Sequence, residues 1–307
     1  MSKKISIIGA GGNELANQLW NYASIYAYCL ERGLDLKNPS FFEYGSSFEM
    51  SAAPNWLFKV AFFLPFEDYR GRKTAFRRRL WRKAYSWYAR VMFLTKKQRI
   101  FSYEHPDNIP FYLAPTTSKE ALPGHCSYLD GWLFRNPVGL EKYRNEIRAY
   151  FAPKPSIQKT ANDLLTPIRQ RYQNIVGVHV RQGDYRTWRN GAYFIEQKRV
   201  REILNEYLQH AGTAAKDSCF VIASDGPIDE SVFAGLNIVV SKNGPVEDLF
   251  MLAQADVVIG SNSTFGDFAA YYGNIPHIVM TNEPVDWGYY AGKNTFFPNK
   301  YCTWVHY

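Results

Sequence analysis

Cysteine is scarce in this chain of 307 residues. The four present, Cys29, Cys126, Cys219 and Cys302, stand roughly ninety residues apart, and no two have metal-ligand spacing. That excludes a disulfide scaffold and predicts packed, reduced thiols in a reducing compartment. Long apolar runs are also missing. The densest, Val60-Ala61-Phe62-Phe63-Leu64-Pro65-Phe66, falls well short of the ~18 residues a bilayer span needs. The opening residues, Met1 to Gly9, pass straight into a strand-like run without a signal-peptide h-region or cleavage site. The expected location is therefore cytoplasmic. No Asp-x-Asp triplet occurs, so the paired carboxylates that usually hold a metal on a diphosphate are lacking, and no metal is expected. No zinc-finger, RNP or homeodomain signature is present, and no nucleic-acid partner is expected.

One stretch lacks acid altogether. Residues 70–99 hold twelve Lys or Arg and no Asp or Glu. Removing those twelve from the net charge of +8 leaves −4, so the basicity belongs to one segment. A helix is predicted from about Thr74 to Phe93, with Phe76, Leu80, Ala84, Tyr88 and Val91 along one face and Trp81, Tyr85 and Trp87 flanking it. Basic amphipathic helices bordered by Trp and Tyr suit an anionic membrane surface, peripheral on its inner face. A solvated basic face on an ordinary packed helix is the simpler alternative.

What is present is enough for a full core, with 46% hydrophobic residues and no low-complexity tract. A first strand over residues 3–9 leads through Gly9-Ala10-Gly11-Gly12 into a helix over about 13–32. Its positions Leu15, Leu19, Tyr22, Ala23, Tyr26, Ala27 and Leu30 fit a 3.6-residue period, and Gly33 ends it. Strand, glycine turn and helix N-terminus together make an anion site. Residues 37–70 and 100–127 read as loop-rich, with a strand at Ser127–Trp132 between the second of these and a helix begun by Asn136-Pro137 and running to Phe151. Ala152-Pro153-Lys154-Pro155-Ser156 reads as the linker between an N-terminal domain, 1–152, and a C-terminal one, 153–307. Beyond it strands and helices alternate, which predicts a doubly wound, mainly parallel sheet in an α/β fold.

The strand ends of that second domain carry the polar residues. Ile175 to Val180 reads as a buried strand, followed by Arg181-Gln182-Gly183-Asp184. The other two ends are Ser224-Asp225-Gly226 and Ser261-Asn262-Ser263-Thr264-Phe265-Gly266-Asp267. In a parallel sheet such ends face one crevice, where ligands of open α/β sheets bind. His179, Arg181 and Asp184 there read as an anion site, because a guanidinium is a planar fork that stays charged. Gly183 is expected to bring backbone close to a ligand. Ser263 and Thr264, at a helix start, offer hydroxyls and N–H groups to a phosphate. A plain Arg181–Asp184 salt bridge and a plain helix cap are the competing readings of the single motifs. Three such ends together point to a nucleotide-like ligand.

These residues carry a resemblance. His179-Val180-Arg181-Gln182-Gly183-Asp184 resembles the His-x-Arg-x-x-Asp motif of the α1,2-, α1,6- and protein O-fucosyltransferase superfamily. Gly11-Gly12-Asn13-Glu14-Leu15-Ala16-Asn17-Gln18 resembles the N-terminal loop of its α1,2 group, glycosyltransferase family eleven, and Glu247-Asp248-Leu249 through Phe265 resembles that group's C-terminal motif. Gln182 stands where a second arginine is common, and Gly266-Asp267-Phe268 where Ser-Trp-Trp is common.

The resemblance implies a GT-B-like fold, two Rossmann-like domains facing a cleft, with the acceptor on the N-terminal side and the donor on the C-terminal side. It implies GDP-fucose as donor, an oligosaccharide or lipid-linked glycan as acceptor, inversion at the fucose carbon, and no metal. Arg181 would stabilise the departing β-phosphate, and Asp184 would position Arg181 or its loop. Ser263, Thr264, Gly11, Gly12 and Asn17 would add phosphate contacts, while His179, Ser224 and Asp225 would hold guanine, ribose or backbone. Phe265 would pack on sugar or base. Asp184, Asp267 and Glu14 are the candidates for a general base. Two other readings remain open at this point. Gly9-Ala10-Gly11 with Asp35 partly fits a dinucleotide fingerprint of a nicotinamide-dependent oxidoreductase, although Glu14 stands at its last position. The departures from the motifs also admit a relative that binds glycan or nucleotide without catalysis.

Overall fold

Alternating apolar residues in Ile175–Val180 place Val176, Val178 and Val180 on one face of a strand and Ile175, Gly177 and His179 on the other. All six are buried, so both faces of this strand are covered. That is the signature of the middle of a parallel sheet. The computed structural model, which describes residues 4–9, 14–50, 72–113, 122–212 and 217–303, bears this out. By its internal contacts the chain divides into two compact units, one ending at Lys154 and one beginning at Pro155. The division falls inside the expected linker, two residues past the 152/153 boundary, where Pro155 opens a helix, a favoured place for proline.

The first unit is built on strands β1 (Lys4–Gly9), β2 (Asp35–Lys37), β3 (Ile100–Ser102) and β5 (Tyr128–Asp130). They form a parallel sheet in the order β2-β1-β5-β3. A separate parallel pair joins β4 (Phe111–Tyr112) and β6 (Phe134–Arg135). Helix α1 (Leu15–Arg32) follows β1 and is buried almost all round, and Gly33 closes it in the left-handed region at φ 60°. The basic segment forms helix α2 (Arg72–Lys96). After β6 the expected single helix is two, α3 (Pro137–Lys142) and α4 (Arg144–Tyr150), because Tyr143 leaves helical geometry between them. The cap is as expected: the Asn136 side chain accepts from the Gly139 N–H at 3.0 Å.

The second unit runs α5 (Pro155–Arg169), β7 (Asn174–Val180), α6 (Gln197–His210), β8 (Ser218–Ser224), β9 (Ile238–Val240), α7 (Pro245–Leu252), β10 (Val257–Gly260), α8 (Thr264–Gly273), β11 (His277–Val279) and α9 (Trp287–Tyr290). Its five strands are all parallel, in the order β11-β10-β7-β8-β9. The chain builds outward from β7 through β8 to β9, then returns to the other side of β7 to add β10 and β11. The order therefore reverses between β7 and β10, the position where open α/β sheets bind ligands. One core cluster joins Val176, Val178, Ile222 and Ile259 of the sheet to Val200, Ile203 and Leu204 of α6. All four cysteines are buried free thiols, and burial pushes Cys29 up to about 12 and Cys219 up to about 11.

Candidate functional site

The three polar strand ends belong to three neighbouring strands, β8, β7 and β10. Because the strands are parallel, their carboxyl ends emerge together. Arg181 leaves β7 at the point where the strand order reverses. A 3-10 turn over Asp184–Arg186 then folds the chain back. It returns Asp184 to the guanidinium as a two-point clamp: Arg181 Nε donates to Asp184 Oδ1 at 3.0 Å and an Nη atom donates to Oδ2 at 3.2 Å. Asp225, at the end of β8, adds a second carboxylate 3.1 Å from Arg181 Nε. The same turn carries Tyr185 beneath the cation, its ring centre 5.4 Å from the guanidinium carbon. Burial opposes the charge on Arg181, but the Asp184 hydrogen bond and the Asp225 and Asp184 charges outweigh it and raise its pKa.

Asp225 also fixes the loop itself. Its Oδ1 accepts the backbone N–H groups of Gln182 at 2.6 Å and Gly183 at 3.0 Å. Gly183 has an ordinary negative φ of −56°. Its need for no side chain lies elsewhere, since a Cβ there would stand 3.0 Å from Asp225 Oδ2. The close approach expected of Gly183 is thus to Asp225. From the other side Ser261, which is fully buried, accepts the Arg181 N–H at 3.0 Å. Tyr185 donates its O–H to the Asn262 carbonyl at 2.9 Å, tying the β7 loop to the β10 loop.

Ser263 caps α8, its hydroxyl accepting the Phe265 N–H at 3.3 Å, and Thr264 is the helix's first residue. The helix presents its positive N-terminus at the same edge of the sheet as Arg181. Phe265 stacks on His179, ring centres 4.8 Å apart and planes 29° from parallel. Burial, the Arg181 charge and His277 together depress His179 to about 3, so it is a neutral ring. Ser224 accepts the Gly226 N–H at 3.2 Å, a turn that sets the direction of Asp225.

Other expected residues are placed differently. Gly11 and Gly12 lie outside the described residues. Asn17 sits in the first turn of α1, and Glu14, just before that helix, accepts the Tyr44 O–H at 3.2 Å. Asp267 is fully buried inside α8, 3.0 Å from His277 Nδ1, so it cannot meet an acceptor hydroxyl as a general base. Ligand atoms of Asp267, His277 and Cys302 lie within 4.8 Å of one another, the described residues' nearest approach to a metal-ligand trio. They are buried core groups, and Asp267 already bonds His277. Gln182 is buried, donating to the Ile195 carbonyl at 3.1 Å, so its amide serves the loop. Two features were not foreseen. Asp130, at the end of β5 beside Gly9, has a pKa raised by burial. A cavity of about 580 Å³ opens beyond β10 and β11, lined by Asn262, Thr281, Asn282, Glu283, Lys300 and Tyr301 among others. That is room for a sugar or nucleoside. Only the polar run Thr281-Asn282-Glu283 just after a strand hinted at it.

Residues 141–286 match the model of Glycosyl transferase family 11. All three polar strand ends fall inside that match, and the chain is family-11-like. Galactoside alpha-(1,2)-fucosyltransferase 2 of Sus scrofa is 27% identical over 183 residues, covering 52% of this chain and 50% of that protein. The match therefore spans about half the length of this curated relative. Among solved structures, a FUT1 mutant of Arabidopsis thaliana in complex with GDP is similar at a TM-score of 0.53 and 14% identity, over 92% of this chain and 71% of that one. At that identity the likeness concerns the fold, which is α/β and GT-B-like with parallel sheets.

Proposed function

We propose that this family-11-like chain transfers L-fucose from GDP-fucose to a sugar hydroxyl. The observation that carries the reading is Arg181, held by two carboxylates at the sheet's switch point beside the N-terminus of α8. In the reaction the bond from the fucose anomeric carbon to the β-phosphate oxygen breaks, and its electron pair stays on the phosphate. The acceptor oxygen bonds to the same carbon from the opposite face, which inverts it, and the hydroxyl proton leaves to solvent or to the departing GDP. Negative charge grows on the phosphate as the bond breaks. Arg181 and the positive N-terminal end of α8 meet that charge without reorganising. Asp184 and Asp225 act as positioning residues, since both hold the guanidinium. His179, Ser224 and Phe265 border the space for the nucleoside and sugar. No metal takes part in the proposal, consistent with the lack of Asp-x-Asp pairs. The name of the Sus scrofa relative supports a galactoside acceptor and an α1,2 linkage. The acceptor would be part of a surface-glycan precursor, oligosaccharide or lipid-linked, bound by the first unit.

The test is thermal stabilisation by GDP, GDP-fucose, UDP and NAD, with and without EDTA. A ligand at a hundred times its dissociation constant stabilises by about 2.7 kcal/mol. The expected result is a shift with GDP and GDP-fucose that ignores EDTA, followed by transfer to a galactoside with the linkage read by NMR. A shift with NAD alone would sink the proposal in favour of the oxidoreductase reading. A GDP shift with no transfer or donor hydrolysis on a broad acceptor panel would favour the non-catalytic one.

A further inference from the structure

Seven large apolar side chains are exposed among the described residues, and five of them lie on α2: Leu80, Trp87, Val91, Phe93 and Leu94. Four of these, with the exposed Ala84, recur at i, i+4, i+7, i+11 and i+14 from Leu80, and so share one face of the helix. The opposite face is the one packed on the first unit. Tyr85 stacks on Phe42 with ring centres 5.0 Å apart and donates its O–H to the Ile8 carbonyl, and Arg82 pairs with Glu43. The apolar stripe is thus turned outward, while Trp81, Tyr85, Tyr88, Ala89 and Met92 are partly buried. Lys83 and Arg90 each follow a stripe residue by three positions, which sets them along one flank, and Arg79 joins them. All three are exposed.

We propose that α2 is an interfacial helix that docks this protein on an anionic lipid bilayer. Charge complementarity selects the occupant. A second copy of the helix would bring nine cations and no acid against the same nine. A nucleic acid would satisfy the cations but leave Trp87 and Leu94 in water. An anionic bilayer takes both, with the stripe in the acyl boundary and the cations among the headgroups. The helix lies on the surface, since no helix among the described residues is long and apolar enough to cross a membrane. The inference does not depend on the donor proposed above.

The experiment is flotation of the full chain with vesicles of phosphatidylcholine alone, or with about 30 mol% phosphatidylglycerol, in about 0.1 M salt. The chain should float with the anionic vesicles only and be released as salt rises. The double variant Trp87→Ser/Leu94→Ser should weaken partitioning at least tenfold, and Arg79→Ala/Lys83→Ala/Arg90→Ala by about 100-fold. Both should keep the wild-type melting temperature, because every substituted side chain is exposed. Equal binding to neutral vesicles, no flotation, or flotation indifferent to both variants would overturn the proposal. So would vesicle-independent self-association that Trp87→Ser/Leu94→Ser abolishes, or duplex-DNA binding that survives that variant.

Discussion

Arg181 and the arginines of α2 carry the same charge in opposite settings. The Arg181 side chain is 22% exposed, clamped by Asp184, faced by Asp225 and underlaid by Tyr185. Arg79, Lys83, Arg90 and Lys96 of α2 stand exposed in a segment without acids. The first arrangement spends the protein's own carboxylates on aiming one cation, which suits a small anion that must be met at one place. The second leaves charge spread along a helix, which suits an extended surface and adds little to the fold. A net charge of +8 says nothing about this division; position and partners decide it.

The sharpest way to break the contrast is at Arg181 itself. Arg181→Ala should lower the proposed fucosyl transfer by about 10²–10³-fold and abolish the expected GDP melting shift. Arg181→Lys should rescue little, because an ammonium cannot make the two-point contact with Asp184. A mutant retaining wild-type transfer would remove the basis for the donor site. Asp225→Ala comes next. It leaves the Gln182 and Gly183 N–H groups without their acceptor and should destabilise the second unit by up to about 3 kcal/mol, read by urea unfolding, with weaker GDP binding.

His179 supplies a pH test. Its folded pKa lies near 3 against an ordinary 6.5, so below pH 6.5 the unfolded chain takes up a proton that the folded one refuses. Stability is therefore full above about pH 6.5 and falls as pH drops toward 3, by about 2 kcal/mol at pH 5. His179→Gln should flatten that part of the melting-temperature profile; an unchanged slope would mean another group titrates. The smallest effect belongs to α2. Arg82→Ala removes its ion pair with Glu43 and should cost less than about 1 kcal/mol, since the arginine is 46% exposed. A larger loss would mean that α2's charges hold the fold, and would blur the comparison with Arg181.

Much of this was legible in the residues. The run Ile175–Val180, the turn chemistry after it and the Ser263 cap are local signals, and they place β7, its loop and α8 near where they stand. Helix α1 and its end at Gly33 follow from a 3.6-residue period and one glycine. Orientation was not legible. Leu80, Val91 and Tyr88 read as one helix face, yet Tyr88 turns toward the first unit while Leu80 and Val91 turn outward. Asp267 reads as a candidate base and lies wholly buried on His277. Gln182 reads as an altered site residue and is a buried loop support. Periodicity says which residues share a face, but which face is covered depends on elements far along the chain.

By itself the sequence determined the α/β alternation, the three polar strand ends and the concentration of cations in one helix, because each is written in local spacing and composition. Tertiary structure alone decided that β8 and β10 flank β7, so that Arg181 meets Asp225 and shares a sheet edge with the start of α8. Those partners are about 44 and 83 residues away in sequence. Only parallel pairing across the sheet, driven by burying both faces of β7, brings them to one edge.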